Sequence, residues 1–228
     1  MLKKEKFDYK FSEDVNIDWD IFWSDVPVQP EAVSKLWPFQ RINATPNIGV
    51  LARKNNLAKN LSRMQKHFRD EFAFFPKTWI LPQDANDLKQ QFNPKGSKKC
   101  KTFIIKPTHM CQGRGIYLIR RYEDIDNKHQ DNLVAQRYMA KPYLIDGLKF
   151  DLRIYVLVLG VDPLRIFMFK EGLARFATHE YVGPTKQNLE NLFMHLTNYA
   201  INRKSDAFVK NADEDDDSGH KRSLSSVL

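Results

Sequence analysis

The sequence predicts an α+β protein with antiparallel sheets, and three observations support this class. Apolar residues recur at helical spacing in the first third of the chain, most clearly over residues 51–68. Short β-rich runs fill most of the remainder, beginning with TFIIKP at residues 102–107. No internal repeat is visible, so nothing indicates a solenoid or a propeller.

The N-terminal third contains one long predicted helix and two short elements. A weak strand is expected at residues 21–23, and a short helix begins at Glu31 and ends before Pro38. The long helix over residues 51–68 has a basic face opposite its apolar one. That face is either a solvated surface or a docking site for an acidic partner. Its cations are Arg53, Lys54, Lys59, Arg63 and Lys66.

A domain boundary is predicted near Pro76, where the composition changes. The sequence then predicts a strand in FAFFPKTWILP, a short helix in QDANDLKQQFN and a basic loop in PKGSKKCK. Five β-rich runs follow: TFIIKP, GIYLIRR, LVAQRYM, LKFDLRIYVLVLG and LRIFMFKEGLARFA. A helix is predicted over residues 186–195. The tail from about residue 210, acidic and then serine-rich, is predicted to be disordered.

The composition excludes several classes of protein. Apolar residues make up 42% of the chain, which suffices for a folded core. The longest apolar run, IYVLVLGV, has the length of a buried strand and not of a membrane helix, and the N-terminus lacks the apolar stretch of a secretory signal. Two cysteines cannot build a disulfide framework or a four-ligand zinc site, and they indicate a reducing compartment. The net charge of +8 fits either an acidic partner or a solvated basic surface.

The segment KPTHMCQGRG, residues 106–115, is the first candidate for a functional site. Lys106 ends a buried strand, where its ammonium group must reach water or pair with an anion. Gly113 and Gly115 would let the following hairpin fold over a ligand and present backbone N–H groups to it. GRG alone is equally typical of an ordinary turn, and the segment is neither a Walker A loop nor a dinucleotide fingerprint.

Polar residues in the later strands favour the functional interpretation. Asp151 and Arg153 would share one face of an otherwise apolar strand, as a buried ion pair or as the wall of a nucleotide cleft. Arg175 lies between apolar neighbours and needs a carboxylate, a phosphate or water as a partner. HLTNYAIN offers small polar groups that fit either a helix cap or ligand contacts. Clustered cations without a nucleophile–base pair are what phosphoryl transfer from ATP requires. The candidate set is Lys106, the glycine flap, Lys149, Asp151, Arg153, Arg175 and Asn198.

Four segments resemble successive signatures of the tubulin tyrosine ligase-like family: KPTHMCQGRGIYLI, QRYMAKPYLIDGLKFDLRIYVLV, DPLRIFMFKEGLARFAT and MHLTNYAIN. The resemblance extends from about residue 37 to residue 226, and the polyglutamylases are the most similar members. It implies an ATP-grasp fold and a ligase that adds glutamate to glutamate side chains of tubulin C-terminal tails through an acyl-phosphate. It also implies an N-terminal domain over residues 1–75, a central ATP-grasp domain over 76–140, and an incomplete C-terminal ATP-grasp domain over 141–228.

The same resemblance assigns roles to individual residues. Lys106 would hold ATP phosphates beneath a flap that includes Gln112 and Gly113, and Gln112 resembles the residue found in chain-elongating members. Arg175 would hold the carboxylate of the incoming glutamate, and Arg175 and Lys221 would be the catalytic residues. The further substrate contacts would be Gln112, Tyr199 and Lys221. The further ATP contacts would be Gln136, Arg137, Tyr138, Met139, Lys149, Phe150, Asp151, Thr197 and Asn198.

ATP and Mg²⁺ are the cofactors that the resemblance implies, and free L-glutamate and acidic tubulin tails are the implied substrates. In the family, an aspartate and an E-x-N pair on late strands hold the magnesium ions, and nothing after Asn211 matches that pattern. We therefore expect no metal ligand in this chain, a C-terminally truncated ligase, weak ATP binding and no turnover.

A monomer is expected that acts on microtubules in the cytoplasm, including those of cilia, flagella and basal bodies, with neither nucleic acid nor a membrane as a partner. Two alternatives stay open. One is an inactive fragment that binds microtubules through its basic surface. The other is a ligase of the same family that adds glycine or tyrosine. A nucleic-acid binder is disfavoured because the paired aromatic residues of RNA-recognition strands are missing.

Overall fold

The computed structural model describes residues 10–14, 18–26, 28–92, 101–126, 133–211 and 218–228. Contacts within the chain define two compact units, Met1–Ile48 and Gly49–Leu228. The first unit holds β1 (Ile21–Phe22), α1 (Pro30–Val33) and β2 (Arg41–Ile42), and its two strands pair in parallel. This division differs from the predicted boundaries after residues 75 and 140, which stay predictions.

The second unit begins with two helices where the sequence predicts one. α2 (Gly49–Ala52) ends before Arg53, whose backbone is extended, and α3 (Lys54–His67) begins directly after it. The short helix predicted in QDANDLKQQFN is α4 (Ala85–Phe92). Leu88 of α4 is fully buried against the first sheet of this unit.

The first sheet has the strand order β3-β6-β4-β5, with every neighbouring pair antiparallel. Its strands are β3 (Thr78–Leu81), β4 (Phe103–Pro107), β5 (Tyr117–Ile119) and β6 (Leu133–Arg137). Side chains alternate between the two faces of β4. Phe103 and Ile105 enter the core that α4 covers, whereas Ile104 enters a second cluster with Tyr138. The same alternation places Lys106 on the face of this second cluster.

The second sheet has the order β12-β11-β8-β7. Its strands are β7 (Leu144–Ile145), β8 (Leu148–Arg153), β11 (Leu173–Phe176) and β12 (Lys221–Ser223). β12 corrects the prediction of a disordered tail, because it pairs with β11 and Arg222 lies 4.3 Å above the Phe176 ring. The acidic run at 212–217 lies outside the described residues.

β9 (Val156–Val161) and β10 (Leu164–Met168) pair with each other and form a separate hairpin. The run LKFDLRIYVLVLG was predicted as one strand, but it divides between β8 and β9. IYVLVLGV has the length of a strand, as expected, but most of its apolar side chains are exposed, for example Leu157 at 58% and Leu159 at 59%. Within the described ranges, no third strand joins this hairpin.

The last helical turns are α5 (Leu192–His195) and α6 (Tyr199–Asn202). The helix predicted over residues 186–195 is therefore mostly wrong, and residues 186–190 form turns. Asn188 explains this, because its side chain bonds the backbones of Thr185 and Gly183 and so competes with helical hydrogen bonds. No helix in the described parts of the chain is long and apolar enough to cross a membrane. The α+β class with antiparallel sheets is confirmed.

Candidate functional site

Lys106 lies at one end of a row of polar groups that crosses three strands of the first sheet. Its ammonium group donates to Oε1 of Gln136 at 2.7 Å, and Nε2 of Gln136 donates to Oγ1 of Thr78 at 2.9 Å. Burial lowers the pKa of Lys106, and the positive charge of Lys54 lowers it further. A half-buried ammonium group whose partner is a neutral amide remains able to bind an anion.

Lys149 provides a second half-buried cation, from β8. Its ammonium group donates to the hydroxyl of Tyr138 at 3.1 Å and to the backbone oxygen of His195 at 2.7 Å. Burial lowers the pKa of Lys149 to about 8, with the charge of Lys106 acting in the same direction and that of Asp151 opposing it. Lys106 lies on the face of the first sheet that carries Tyr138, and Lys149 reaches the Tyr138 hydroxyl from the second sheet, so both ammonium groups lie on the same side of the first sheet.

The segment between β4 and β5, residues 108–116, forms the predicted flap. Gln112, Gly113 and Gly115 all have left-handed backbones, with φ of 59°, 83° and 66°. A Cβ atom at Gly113 would lie 2.6 Å from Cδ1 of Ile201 and 2.9 Å from Cγ of Asn198. The flap tip therefore packs against α6 so closely that only glycine fits, next to the predicted ATP contact Asn198.

Lys54 is a site residue that the sequence did not reveal. Its ammonium group donates to the backbone oxygens of Pro107 at 3.1 Å and Met110 at 2.5 Å. Lys54 thereby joins the start of α3 to the base of the flap. The sequence grouped it with the basic face of the helix, and no local pattern could reveal partners more than fifty positions away.

A charged row crosses the second sheet and contains the predicted catalytic residues. The strand register places Asp151, Arg175 and Lys221 directly beside one another on β8, β11 and β12, so their side chains share one face. Nε and Nη2 of Arg175 each donate to the Asp151 carboxylate at 2.7 Å. Oγ1 of Thr197 donates to the same carboxylate at 2.8 Å. Asp151 is thus paired with Arg175 and not with Arg153, its alternative partner in the sequence interpretation.

The remaining predicted residues lie at the periphery of these two rows. Phe150 is on the opposite face of β8, where it stacks on Phe176 with ring centroids 5.6 Å apart. Tyr199 is 43% exposed and contacts Phe208, which in turn stacks on His220 beside Lys221. The structure therefore brings Tyr199 towards the Lys221 end of the charged row, whereas the Phe150 side chain faces away from it.

A cavity of about 450 Å³ lies beside the segment that follows β6. Arg137 and Tyr138, two of the residues that the family resemblance assigns to adenine, line it together with Pro142, Tyr181 and Pro184. Its volume falls within the usual range for small-molecule sites, and the assignment to adenine stays a prediction. Met139 is 60% exposed and is not among the lining residues.

The described ranges contain no group of side chains that would by itself enclose a metal ion. Nowhere in the described ranges do three or more His, Cys, Asp or Glu side chains come together. Asp151, whose negative charge acts on Lys149, accepts hydrogen bonds from Arg175 and Thr197. No step below depends on a metal.

These features define the class of the protein: an α+β protein in which two half-buried lysines, a segment with left-handed glycines and a charged row belong to one compact unit. The chain belongs to the tubulin-tyrosine ligase family, whose sequence model matches residues 32–228. The family resemblance of the four motifs is thereby confirmed, and the mixed fold agrees with an ATP-grasp-like arrangement.

Individual relatives are similar over nearly the whole chain. The probable beta-tubulin polyglutamylase of Tetrahymena thermophila is 52% identical over 99% of this chain and 19% of its own length. The tubulin polyglutamylase ttll6 of Danio rerio is 48% identical over 92% of this chain and 26% of its own length. The tubulin polyglutamylase TTLL7 of Mus musculus is 42% identical over 90% of this chain and 22% of its own length. The chain thus spans about a fifth to a quarter of the length of these curated relatives.

Proposed function

We propose that the chain forms the ATP-binding and amino-acid-binding part of a ligase that adds glutamate to glutamate side chains of tubulin C-terminal tails. The pair of half-buried lysines, Lys106 and Lys149, is the observation that carries the proposal. Among the described residues both ammonium groups donate to neutral partners, so an anion is the ligand that would balance their charge. The names of the similar proteins, all tubulin polyglutamylases, support tubulin as the acceptor and glutamate as the added amino acid.

Lys106 and Lys149 would neutralise the triphosphate, and the left-handed flap would cover it with backbone N–H groups. The residues present fit this ligand, since both ammonium groups have N–H bonds beyond those donated to protein partners. When bound, ATP would supply the phosphoryl group that converts the acceptor γ-carboxylate into an acyl-phosphate. The amine of free glutamate would then attack the acyl carbon, forming the amide bond and releasing phosphate.

Arg175 would orient the incoming glutamate. A guanidinium group has five N–H donors, and Asp151 accepts from two of them. The remaining donors can hold a carboxylate of the amino acid, with Lys221 beside Arg175 on the neighbouring strand. Asp151 and Thr197 then act by fixing the guanidinium plane. Tyr199 would lie at the outer edge of this subsite, and Gln112 would contact the acceptor chain from the flap.

The proposed setting follows from the acceptor. The ligase would use ATP with Mg²⁺, act as a monomer, and modify microtubules of the cytoskeleton, including those of the ciliary axoneme and basal body. Acidic tubulin tails would be attracted by the net charge of +8, and this attraction would weaken as salt is added.

The amino-acid assignment is tested by incubating the chain with tubulin, ATP, Mg²⁺ and one labelled amino acid at a time. The expected result is ATP-dependent label in tubulin from glutamate, lost in Arg175→Ala and retained in Arg165→Ala, which removes an exposed hairpin arginine. Label from glycine or tyrosine in place of glutamate would contradict the assignment. If none of the three amino acids labels tubulin, the chain has no turnover, as expected from its missing metal ligands, and microtubule binding without ligation becomes the supported function.

A second function, microtubule binding without ligation, is favoured by the exposed cations on α3, which include Lys59, Arg63 and Lys66. Sedimentation with microtubules separates the two functions. This candidate is supported if microtubule binding is unchanged by ATP and by Lys106→Ala but is lost in a Lys59→Gln/Arg63→Gln/Lys66→Gln triple variant. Equal sedimentation of the triple variant and the wild type contradicts it.

A further inference from the structure

A buried series of hydrogen bonds leads from Lys149 away from the cleft. The Tyr138 hydroxyl, which accepts from Lys149, lies 3.0 Å from Nδ1 of His195. On the other side of the ring, Nε2 of His195 lies 3.0 Å from the backbone oxygen of Asn188. His195 is 0% exposed and Tyr138 is 5% exposed, so water cannot replace these partners.

The partners fix the position of each proton in this series. A carbonyl oxygen can only accept, so Nε2 of His195 carries a hydrogen and donates it to Asn188. In the neutral ring Nδ1 is then an acceptor, so the bond between them requires Tyr138 to donate its single hydroxyl hydrogen to Nδ1. The neighbouring Tyr181 hydroxyl, which also interacts with Tyr138, donates its own hydrogen to the backbone oxygen of Ala140. The lone pairs of the hydroxyl are left to Lys149. Burial, opposed by the bond to Asn188 and aided by the charge of Lys149, lowers the pKa of His195 and so favours the neutral ring.

We propose that His195 is a positioning residue for Lys149 and acts through the Tyr138 hydroxyl. The proposal rests on the proposed function of Lys149 as an ATP contact. The backbone oxygen of His195 also accepts from Lys149 at 2.7 Å, so the ammonium group is held at two points. One of its three N–H bonds then remains for a phosphate. Without an oriented Tyr138, the ammonium group would be held at one point only and could rotate about it.

The tautomer of His195 tests the first half of the proposal without any nucleotide. Long-range ¹H–¹⁵N spectra of the histidine-labelled protein should show one neutral ring with hydrogen on Nε2 at neutral pH, and this ring should become protonated at a lower pH than an exposed histidine. Loss of that signal in His195→Gln assigns it. A ring with hydrogen on Nδ1, or one protonated at neutral pH, would overturn the proposal.

A double-mutant cycle on ATP affinity tests the second half. Tyr138→Phe removes only the hydroxyl and should raise the Kd for ATP about tenfold in the wild-type background. In a Lys149→Met background, measured up to millimolar ATP, the same substitution should change nothing, because the residue it positions is gone. His195→Gln should follow the same pattern. If His195→Gln fails to fold, Tyr138→Phe carries the test alone.

Tyr143→Phe is the matched control, because Tyr143 is 81% exposed and should leave ATP affinity unchanged in both backgrounds. Equal effects of Tyr138→Phe with and without Lys149 would reveal a purely structural tyrosine and contradict the positioning role. A wild-type chain that shows the expected tautomer but binds no ATP would instead contradict the proposed function.

Discussion

Lys149 gives the candidate site a pH dependence that an ordinary lysine would not. Burial lowers its pKa to about 8, and only the protonated form attracts phosphate. The affinity for ATP should therefore be highest below pH 8 and should fall by up to about tenfold per pH unit above it. The terminal phosphate, with its second pKa of about 6, is already ionised there. Calorimetric titrations between about pH 7 and pH 10 measure the decline.

Lys149→Arg is the control for this dependence, since a guanidinium group keeps its charge throughout the range. An affinity for ATP that falls equally with pH in the wild type and in Lys149→Arg would show that another group titrates. An affinity that stays constant to pH 10 would contradict the lowered pKa of Lys149.

Gly113 carries a second prediction for a single residue. In Gly113→Ala, the new methyl group meets Ile201 and Asn198 at less than 3 Å, and the left-handed φ of 83° is unfavourable for alanine. The flap should move off α6, with a loss of stability of about 1–3 kcal/mol and ATP binding weakened about tenfold. Urea denaturation and ATP titration measure the two effects.

Gly49→Ala is the matched control, because nothing lies within 4 Å of a Cβ at that position, which begins α2. It should leave ATP binding unchanged. Gly113→Ala with wild-type stability and affinity would show that the contact between the flap and α6 has no functional weight.

The sequence predicted single residues unevenly, and the reason is distance along the chain. Lys106 and Arg175 were found because a charged group inside an apolar run has a local signature. Lys54 was missed because its partners lie across the fold, in the flap. His195 was one of six scattered histidines, and only its buried partners distinguish it.

At the scale of secondary-structure elements, helix α4 covers one face of the first sheet. Leu88 is 0% exposed and lies in one cluster with Trp79 and Phe103. Leu88→Ala should lower the free energy of unfolding by about 2–5 kcal/mol, through lost burial and the cavity that remains. Chemical denaturation measures it. Leu51→Ala, at a residue that is 55% exposed, should change it by less than about 0.5 kcal/mol. Similar values for both variants would contradict this core.

The edge strand β12 supports a further prediction, for the end of the chain. Arg222 contacts the Phe176 ring and pairs with Asp146 at 3.0 Å, although Asp146 is largely exposed. Arg222→Ala should speed amide hydrogen exchange in β12 about fivefold, mainly through the lost ring contact. Arg165→Ala should leave it unchanged. Equal amide exchange rates in Arg222→Ala and the wild type would contradict a role of the Arg222 side chain in ordering β12.

Elements with a strong local pattern were predicted well, and those that depend on partners were not. β3 to β6 were expected because apolar β-branched and aromatic runs between turn signals are typical of strands. β12 has no such pattern, because an edge strand is ordered by its neighbour and not by its own side chains. The exposure of β9 and β10 was likewise invisible, since an apolar run does not reveal what covers it.

On the scale of the whole molecule, the candidate site combines residues that are far apart in the sequence. Thr78, Lys106 and Gln136 lie on three neighbouring strands of one sheet, and Lys149 comes from the other sheet of the same unit. The sequence could show that cations recur in strands, and the family resemblance implied that they converge. Only the strand register shows how Asp151, Arg175 and Lys221 form a single row.

The central claim, that this cleft binds the triphosphate of ATP, is tested most directly by calorimetric titration of ATP into the wild type, Lys106→Gln and Lys59→Gln. Lys59 is an exposed lysine on α3, so its variant has the same change in net charge. The expected result is saturable binding with one ATP per chain, weakened at least about tenfold in Lys106→Gln and unchanged in Lys59→Gln. Equal affinity of all three proteins for ATP would contradict the claim.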